Sequence, residues 1–309
     1  MTLQMAVFNV GRGLCVAFIT PNRYLILVDC GSSEDFSPVR LLRDCQTNSV
    51  LGQGRLAFTP WANADLAYFM ITHPHSDHIS DIENLRTLLK PSIIIHRPDL
   101  DWQRVGSSNR ENRPLESYRR NFFWPWDYYH QVVSQPALGG DMSFQYYWLP
   151  LDLISAISST DTDYVNNSSY VSVIKYAGRT IALTGDMTAE GMKWLLAINS
   201  GFRSSITGNA IRPGVDILVA PHHGHPNGFC SEWFDNTGPT RYFNIVSERT
   251  ARRGEQSGQT QVDSRYSQRE FSLGQNQHDR RMFSTRTDGS VLVWIGQDGT
   301  CTYETIANR

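Results

Sequence analysis

The chain has 309 residues, enough for one large α/β domain or two ordinary ones, and its 40% apolar content supports a sizeable core. A formal net charge of −2 excludes a whole-molecule electrostatic case for nucleic acid or an acidic membrane, so any basic surface is local. The cysteines (Cys15, Cys30, Cys45, Cys230, Cys301) form no CxxC pair, and no apolar run approaches the roughly eighteen residues of a spanning helix. The first apolar run is broken by Asn9 and Gly11, unlike a secretory signal, so the expectation is a reduced, soluble, cytoplasmic protein with no membrane association.

Along the chain, short runs rich in Ile, Leu and Val each lead into a residue able to do chemistry. Tyr24 to Val28 ends at Asp29, Leu66 to Ile71 leads to His73, Ile93 to Ile95 ends at His96, Thr180 to Leu183 leads to Asp186, and Val215 to Ala220 leads to His222. Such runs read as buried strands, and the chemistry of buried sheets gathers in the loops beyond strand ends. Five endings of this kind predict one cleft along a common sheet edge. Two helices are predicted to start there. Ile79, Ile82, Leu85, Leu88 and Leu89 have helical spacing until Pro91, and Thr188 is a candidate N-cap for a helix carrying Met192, Leu195 and Leu196. Helix N-termini at this edge favour an anionic substrate.

Two stretches break the pattern. Residues from about Asp99 to Gly140 are rich in aromatics (Trp102, Tyr118, Phe122, Phe123, Trp124, Trp126, Tyr128, Tyr129), with Arg119 and Arg120 alongside. They read as an insertion packing its own small core or offering a protein-partner surface, ahead of the alternative of base stacking. Residues Glu248 to Arg281 are polar, carry interleaved arginines and acids, and read as a long surface loop. The chain closes with a strand from Ser290 to Ile295 and a hairpin across Gln297-Asp298-Gly299.

His73-Pro74-His75-Ser76-Asp77-His78 carries the chemistry. Imidazoles and carboxylates are what zinc and manganese take from a protein without thiolates, and four ligand-type residues within six positions after a buried strand are hard to explain otherwise. Alternating positions of an extended loop point the same way, so His73 and His75 can grip one metal while Asp77 and His78 face a second. Asp186 is the natural bridging carboxylate, and Pro221-His222-His223-Gly224 supplies the remaining imidazole or two, from His223, His222 or both.

These motifs, in this order, resemble the metallo-β-lactamase superfamily, and more narrowly its ComEC-like branch, here stand-alone, without the membrane channel. Phe8-Asn9-Val10-Gly11-Arg12-Gly13 resembles the branch's opening strand and glycine turn. Asn166-Asn167-Ser168-Ser169-Tyr170-Val171 resembles its Asn/Ser segment, and Leu183-Thr184-Gly185-Asp186, Pro221-His222-His223-Gly224 and Thr287-Asp288-Gly289-Ser290 complete the match. The departures are Leu14 in place of an acid, Ser80 and Asp81 in place of two glycines, and no late histidine, for which His278 fits poorly. The resemblance implies a single-domain, four-layer αββα α/β sandwich spanning residues 1–309 with two insertions. It also implies two divalent ions (Zn or Mn) at one edge of two central sheets, and Asp29 as structural support for the site.

The implied activity is phosphodiester hydrolysis of DNA or RNA by a metal-bridged hydroxide, with Asp77 and His222 catalytic and Asn167, Ser169 and His225 contacting substrate. Alternatives are a phosphodiesterase for a cyclic nucleotide or choline phosphate, or a partner-binding subunit with a structural metal site. His96 is read as a structural histidine, and His130 as no ligand.

Overall fold

The computed structural model describes residues 1–47, 61, 63–109, 112–120, 138–208, 213–248 and 262–306. Among them are β1 (Thr2–Val7), β2 (Val16–Ile19), β3 (Tyr24–Val28), β4 (Asp65–Met70) and β5 (Ile93–Ile95), then β6 (Ser143–Tyr147), β7 (Val171–Tyr176), β8 (Arg179–Leu183), β9 (Ile217–Val219) and β10 (Phe243–Val246), and finally β11 (Met282–Ser284), β12 (Ser290–Gly296) and β13 (Cys301–Ile306). They form two mixed sheets, one in the order β13-β12-β1-β2-β3-β4-β5, the other β11-β10-β9-β8-β7-β6.

Period-two alternation builds the layers. Leu3, Met5 and Val7 of β1, Ile26 and Val28 of β3, and Ile181 and Leu183 of β8 join one apolar cluster drawn from both sheets, which is the layer between them. Their neighbours Ala6, Leu25, Leu27 and Ala182 turn outward into a second cluster with helix residues such as Leu41, Leu85, Leu195 and Leu196. Helices therefore cover sheets that cover each other, as expected for the αββα sandwich.

The parallel segments, β3-β4-β5 and β8-β9-β10-β11, set the position of the site. The five expected strand endings divide between these two sheets, so no single sheet edge carries them. An apolar run specifies that a strand is buried, not which sheet it joins. The hairpin after β12 forms as predicted, with Gly296 N donating to Thr300 O at 2.8 Å.

Four helices brace this edge. α1 (Pro38–Gln46) is capped by Ser37, whose hydroxyl accepts from Arg40 N, and α2 (Ile82–Leu88) starts later than its apolar spacing predicts, since residues 79–81 turn first. Asp81, one of the two departures beside the histidine run, is buried and accepts from Ser37 Oγ (2.6 Å), Val39 N (3.0 Å) and Asn84 Nδ2 (2.6 Å), tying α1 to the ligand loop. α3 (Trp102–Ser108) and α4 (Asn112–Tyr118) belong to the aromatic stretch, where Leu100, Val105, Leu115 and Tyr118 are buried in a core. Phe122, Phe123, Trp124, Trp126, Tyr128, Tyr129 and His130 lie outside the described residues.

The polar stretch is not simply a solvated loop. Tyr266 is fully buried, Phe271 packs against Phe229 and Phe234, and Thr240 bridges Ser272 in parallel. Aromatics supply the burial that aliphatics do not. Arg249, Arg252, Arg253 and Glu255 lie outside the described residues. No described helix is long and apolar enough to cross a membrane.

Replacing Asp81 by Ala leaves three donors without their carboxylate, and should lower unfolding stability by about 2 kcal/mol. The midpoint of chemical denaturation measures this.

Candidate metal centre

The histidine run follows β4, and its backbone is fixed by contacts from two other segments. Cys30 N donates to His78 O at 2.8 Å and Asp81 N to Cys30 O at 2.8 Å. A Cβ on Gly13, which has φ +127°, would fall 2.2 Å from Asp77 O. Only a glycine lets the two loops approach this closely.

Asp29, in a left-handed conformation (φ 56°), places its carboxylate under the histidines. It accepts from Thr72 N and Thr72 Oγ1, both at 2.7 Å, and faces His78 Nδ1 at 2.7 Å. His73 is held from behind in the same way, its Nδ1 lying 3.1 Å from Thr72 Oγ1 and 3.3 Å from Ser169 Oγ. Both rings therefore turn Nε2 toward a common space. There His73 Nε2 meets His75 Nδ1 at 2.9 Å, and Asp186 enters from β8 in the opposite sheet.

Two groups of ligand atoms result, His73 with His75 and Asp186, and Asp77 with His78 and His223, each within 4.8 Å of one another. Asp186 joins them. Its Oδ1 lies 3.2 Å from His78 Nε2, and its Oδ2 lies 3.2 Å from His223 Nε2 and 3.9 Å from His73 Nε2. Asp77 Oδ2 is 3.7 Å from His223 Nε2 and 3.4 Å from Arg12 Nε.

The ligands' protonation follows from burial and neighbours. Burial holds His73 well below the ordinary imidazole range and takes His75 down to about 4, keeping their lone pairs available at neutral pH. Burial also pushes His78 down, but Asp186 and Asp29 outweigh it and raise it. For Asp186, burial works upward and loses to His223 and His78, leaving the carboxyl well below its usual range; His78 and His223 lower Asp77 likewise. Asp29 moves the other way, because burial outweighs His78 and Thr72. Thr72 donates to both oxygens of Asp29, so the hydrogen of the Asp29–His78 contact is assigned to His78 Nδ1.

This donor set fits divalent cations. His78 Nε2 and His223 Nε2 are buried and face the Asp186 carboxylate, each at 3.2 Å, while His73 Nε2 and His75 Nδ1 face each other at 2.9 Å. His73 Nε2, His78 Nε2 and His223 Nε2 crowd around one carboxylate, which cannot satisfy three imidazoles at once, and this calls for a cation among them. The carboxylate–histidine pair Asp29–His78 is the arrangement that orients and strengthens a metal-binding imidazole.

Consecutive left-handed residues shape the last loop. His222 (φ 49°) and His223 (φ 56°) follow one another, a conformation costing about 1–2 kcal/mol per non-glycine residue, and His222 N is tied to Gly185 O at 3.0 Å. The turn directs His223 into the ligand cluster and leaves His222 half-buried beside it, its ring 5.4 Å from that of His225. Burial lowers the His222 imidazole pKa, so it is a neutral donor or acceptor near neutral pH.

The other expected site residues separate. Ser169 is fully buried behind the ligands, its Oγ accepting from Asp186 N at 3.1 Å as well as facing His73, so it positions two ligands rather than lining a cleft. Two further helices, α5 (Leu151–Ile157) and α6 (Asp161–Asn167), precede it. Asn167 Nδ2 donates to Ser158 Oγ (3.1 Å), and its Oδ1 accepts from Thr188 N (3.2 Å) and Thr188 Oγ1 (2.7 Å). This brace, not substrate contact, occupies the amide; it anchors α7 (Ala189–Ile198), whose N-cap is Thr188 as predicted. His225 lies on the rim, its Nδ1 capping Asn227 N at 3.4 Å. His96 pairs with Tyr118 Oη at 2.7 Å as a structural histidine, and exposed His278 lies against Tyr303, away from the ligands. Thr72 and Arg12 have site contacts that the sequence reading did not assign. The threonine immediately preceding His73 and the arginine between two glycines were the available signals.

A mixed two-sheet sandwich with histidine and aspartate ligands at its parallel-strand ends defines a class, and the chain matches the metallo-β-lactamase superfamily over residues 10–226. It belongs to that superfamily, a metal-dependent hydrolase by fold and ligand set. Among solved structures it is similar to the metallo-β-lactamase fold protein YhfI from Bacillus subtilis (13% identity, 81% of this chain and 87% of that one, TM-score 0.39). It is also similar to Zn(2+)-bound PqqB from Methylobacterium extorquens (13%, 71% and 72%, 0.36) and to a long form RNase Z from yeast (10%, 84% and 39%, 0.36). No curated protein matches the chain.

Asp29→Asn keeps the side chain's shape but loses its charge under His78, and should weaken divalent-metal binding about ten- to hundredfold. Competition with a chromophoric chelator gives the affinity.

Proposed function

We propose that the protein is a two-metal phosphodiesterase acting on nucleic acid, of the ComEC-like branch that its motifs resemble. The carrying observation is the pair of ligand groups joined by Asp186, a spacing suited to two cations that share one carboxylate. An all nitrogen and oxygen donor set suits zinc or manganese. Bound there, such ions lower the pKa of water and neutralise charge on an attacked phosphate.

The chain's own residues do the remaining work. Asp186 and Asp77 fix the ligand geometry, and Asp77, partly exposed between His223 and Arg12, accepts a proton or hydrogen bond from the attacking water. His222, neutral and half-buried on the rim, stands where it can donate to a leaving oxygen. Asp29, Thr72 and Ser169 hold the rings against reorientation.

Nucleic acid is favoured over a small diester by an aromatic pair at the same edge. Tyr146 (36% exposed) and Trp148 (44%) stack at 6.0 Å with 29° between their planes. Both rest edge-on against Tyr170, whose N donates to Thr72 O and which follows Ser169. Exposed π-faces next to a phosphate-cleaving site suit unpaired bases.

The test is cleavage of single-stranded and duplex oligonucleotides and of a cyclic nucleotide with manganese or zinc, comparing wild type with His78→Ala and Asp186→Ala. Both variants should lose at least about a hundredfold in rate, since each removes a ligand that holds the centre. Variants cutting as fast as wild type would overturn the catalytic reading. Separately, Trp148→Ala should raise KM for a single-stranded oligonucleotide about fivefold or more, with a smaller effect on bis(4-nitrophenyl) phosphate. Steady-state kinetics on the two substrates decide this.

A further inference from the structure

We propose that Arg12 is the anion-recognition residue of the metal centre, receiving a non-bridging phosphate oxygen on its guanidinium. This rests on the phosphodiesterase reading and adds to it the group that selects substrate charge.

The turn carrying Arg12 is fastened to several elements. Phe8 N donates to Cys15 O at 3.0 Å, Asn9 N to Ser290 Oγ at 3.0 Å, and Gly11 N to Asn9 Oδ1 at 3.3 Å. Ser247 Oγ, just beyond β10, donates to Gly13 O. Gly11 and Gly13 both have positive φ, and Gly13 lies against the Asp77 backbone. These contacts set the backbone of Arg12 beside the ligands whatever its side chain does.

The side chain is available. Its Nε lies 3.4 Å from Asp77 Oδ2, it is 39% exposed, and the guanidinium has no other hydrogen bond or ion pair among the described residues. A guanidinium offers five donors in a planar fork, and one contact at Nε leaves the terminal nitrogens unengaged. The turn contains no acid from Asn9 to Leu14.

Charge bookkeeping points the same way. Two divalent ions would bring four positive charges against the carboxylates of Asp77 and Asp186, and Arg12 adds a fifth at the opening. A neutral lactone or amide gains little from this excess. A phosphodiester anion gains a paired, charge-assisted contact.

The experiment compares wild type, Arg12→Ala and Arg12→Lys, loaded with manganese. It combines calorimetric titration with inorganic phosphate, metal content by elemental analysis, and kinetics on bis(4-nitrophenyl) phosphate. Arg12→Ala should bind phosphate about tenfold more weakly while keeping its metal, with the kinetic change falling on KM more than kcat; Arg12→Lys should recover part of the loss. Unchanged phosphate affinity in Arg12→Ala overturns the proposal, and so does a loss of metal that accounts for the weaker binding. If wild type hydrolyses no phosphodiester, the phosphodiesterase reading fails, and the phosphate titration still decides the role of Arg12.

Discussion

The structure depends on one carboxylate shared between two sets of imidazoles. Asp186 is almost completely buried, with His78 on one oxygen and His223 and His73 on the other. In the protein alone this cluster is expensive. Imidazoles crowd around one buried carboxylate, and that carboxylate is held anionic away from water. Positive charge in the shared space relieves both penalties together, because it attracts the lone pairs and the carboxylates at once. The histidines then need no protons there, a condition that burial has already imposed on His73 and His75.

The need to hold that cluster accounts for local features that otherwise look wasteful. Asp29, His222 and His223 all adopt left-handed backbone, and each lies where a parallel strand hands the chain to the site. Such strain persists only where the surroundings over-determine it. Asp29 N is held by Met70 O, His222 N by Gly185 O, and Gly185 is itself wedged where a Cβ would meet Ser169 Oγ at 2.8 Å. Thr72, Ser169 and Asp29 complete the restraint behind the His73 and His78 rings.

Much of this was legible in the sequence because it is local. Buried strands are apolar runs, and the residue beyond each run is the one that reaches the edge; Asp29, His73 and Asp186 were found in this way, whereas the run before Pro221 pointed to His222 and it is the next residue, His223, that joins the ligand group. The histidine run is dense enough to announce its own chemistry, and Thr188 caps its helix through a hydroxyl that accepts from Gly191 N, three residues further on. What was not legible depends on direction and on distant partners. Asn167 and Ser169 have the residue types of a cleft lining, but the chain places them on the buried side, where their hydrogen bonds go to Thr188, Ser158, His73 and Asp186. Arg12 acquires meaning only from Asp77, which folding alone brings beside it. The polar stretch before β11 misled through its lack of aliphatics, because two aromatics, Tyr266 and Phe271, anchor it.

Membership of the superfamily fixes the scaffold and leaves the substrate open, since one fold hosts many reactions. The substrate must therefore be argued from groups that differ within the scaffold, and here these lie around the ligands rather than among them. The ligand atoms alone would serve any hydrolysis that needs activated water. Arg12 biases the opening toward anions, and the Tyr146–Trp148 pair offers planar apolar faces at the same edge. On the proposed reading, a polymer that alternates anionic phosphates with flat bases would meet both features. A neutral acyl substrate would leave the guanidinium unmatched and the stacked rings uncovered.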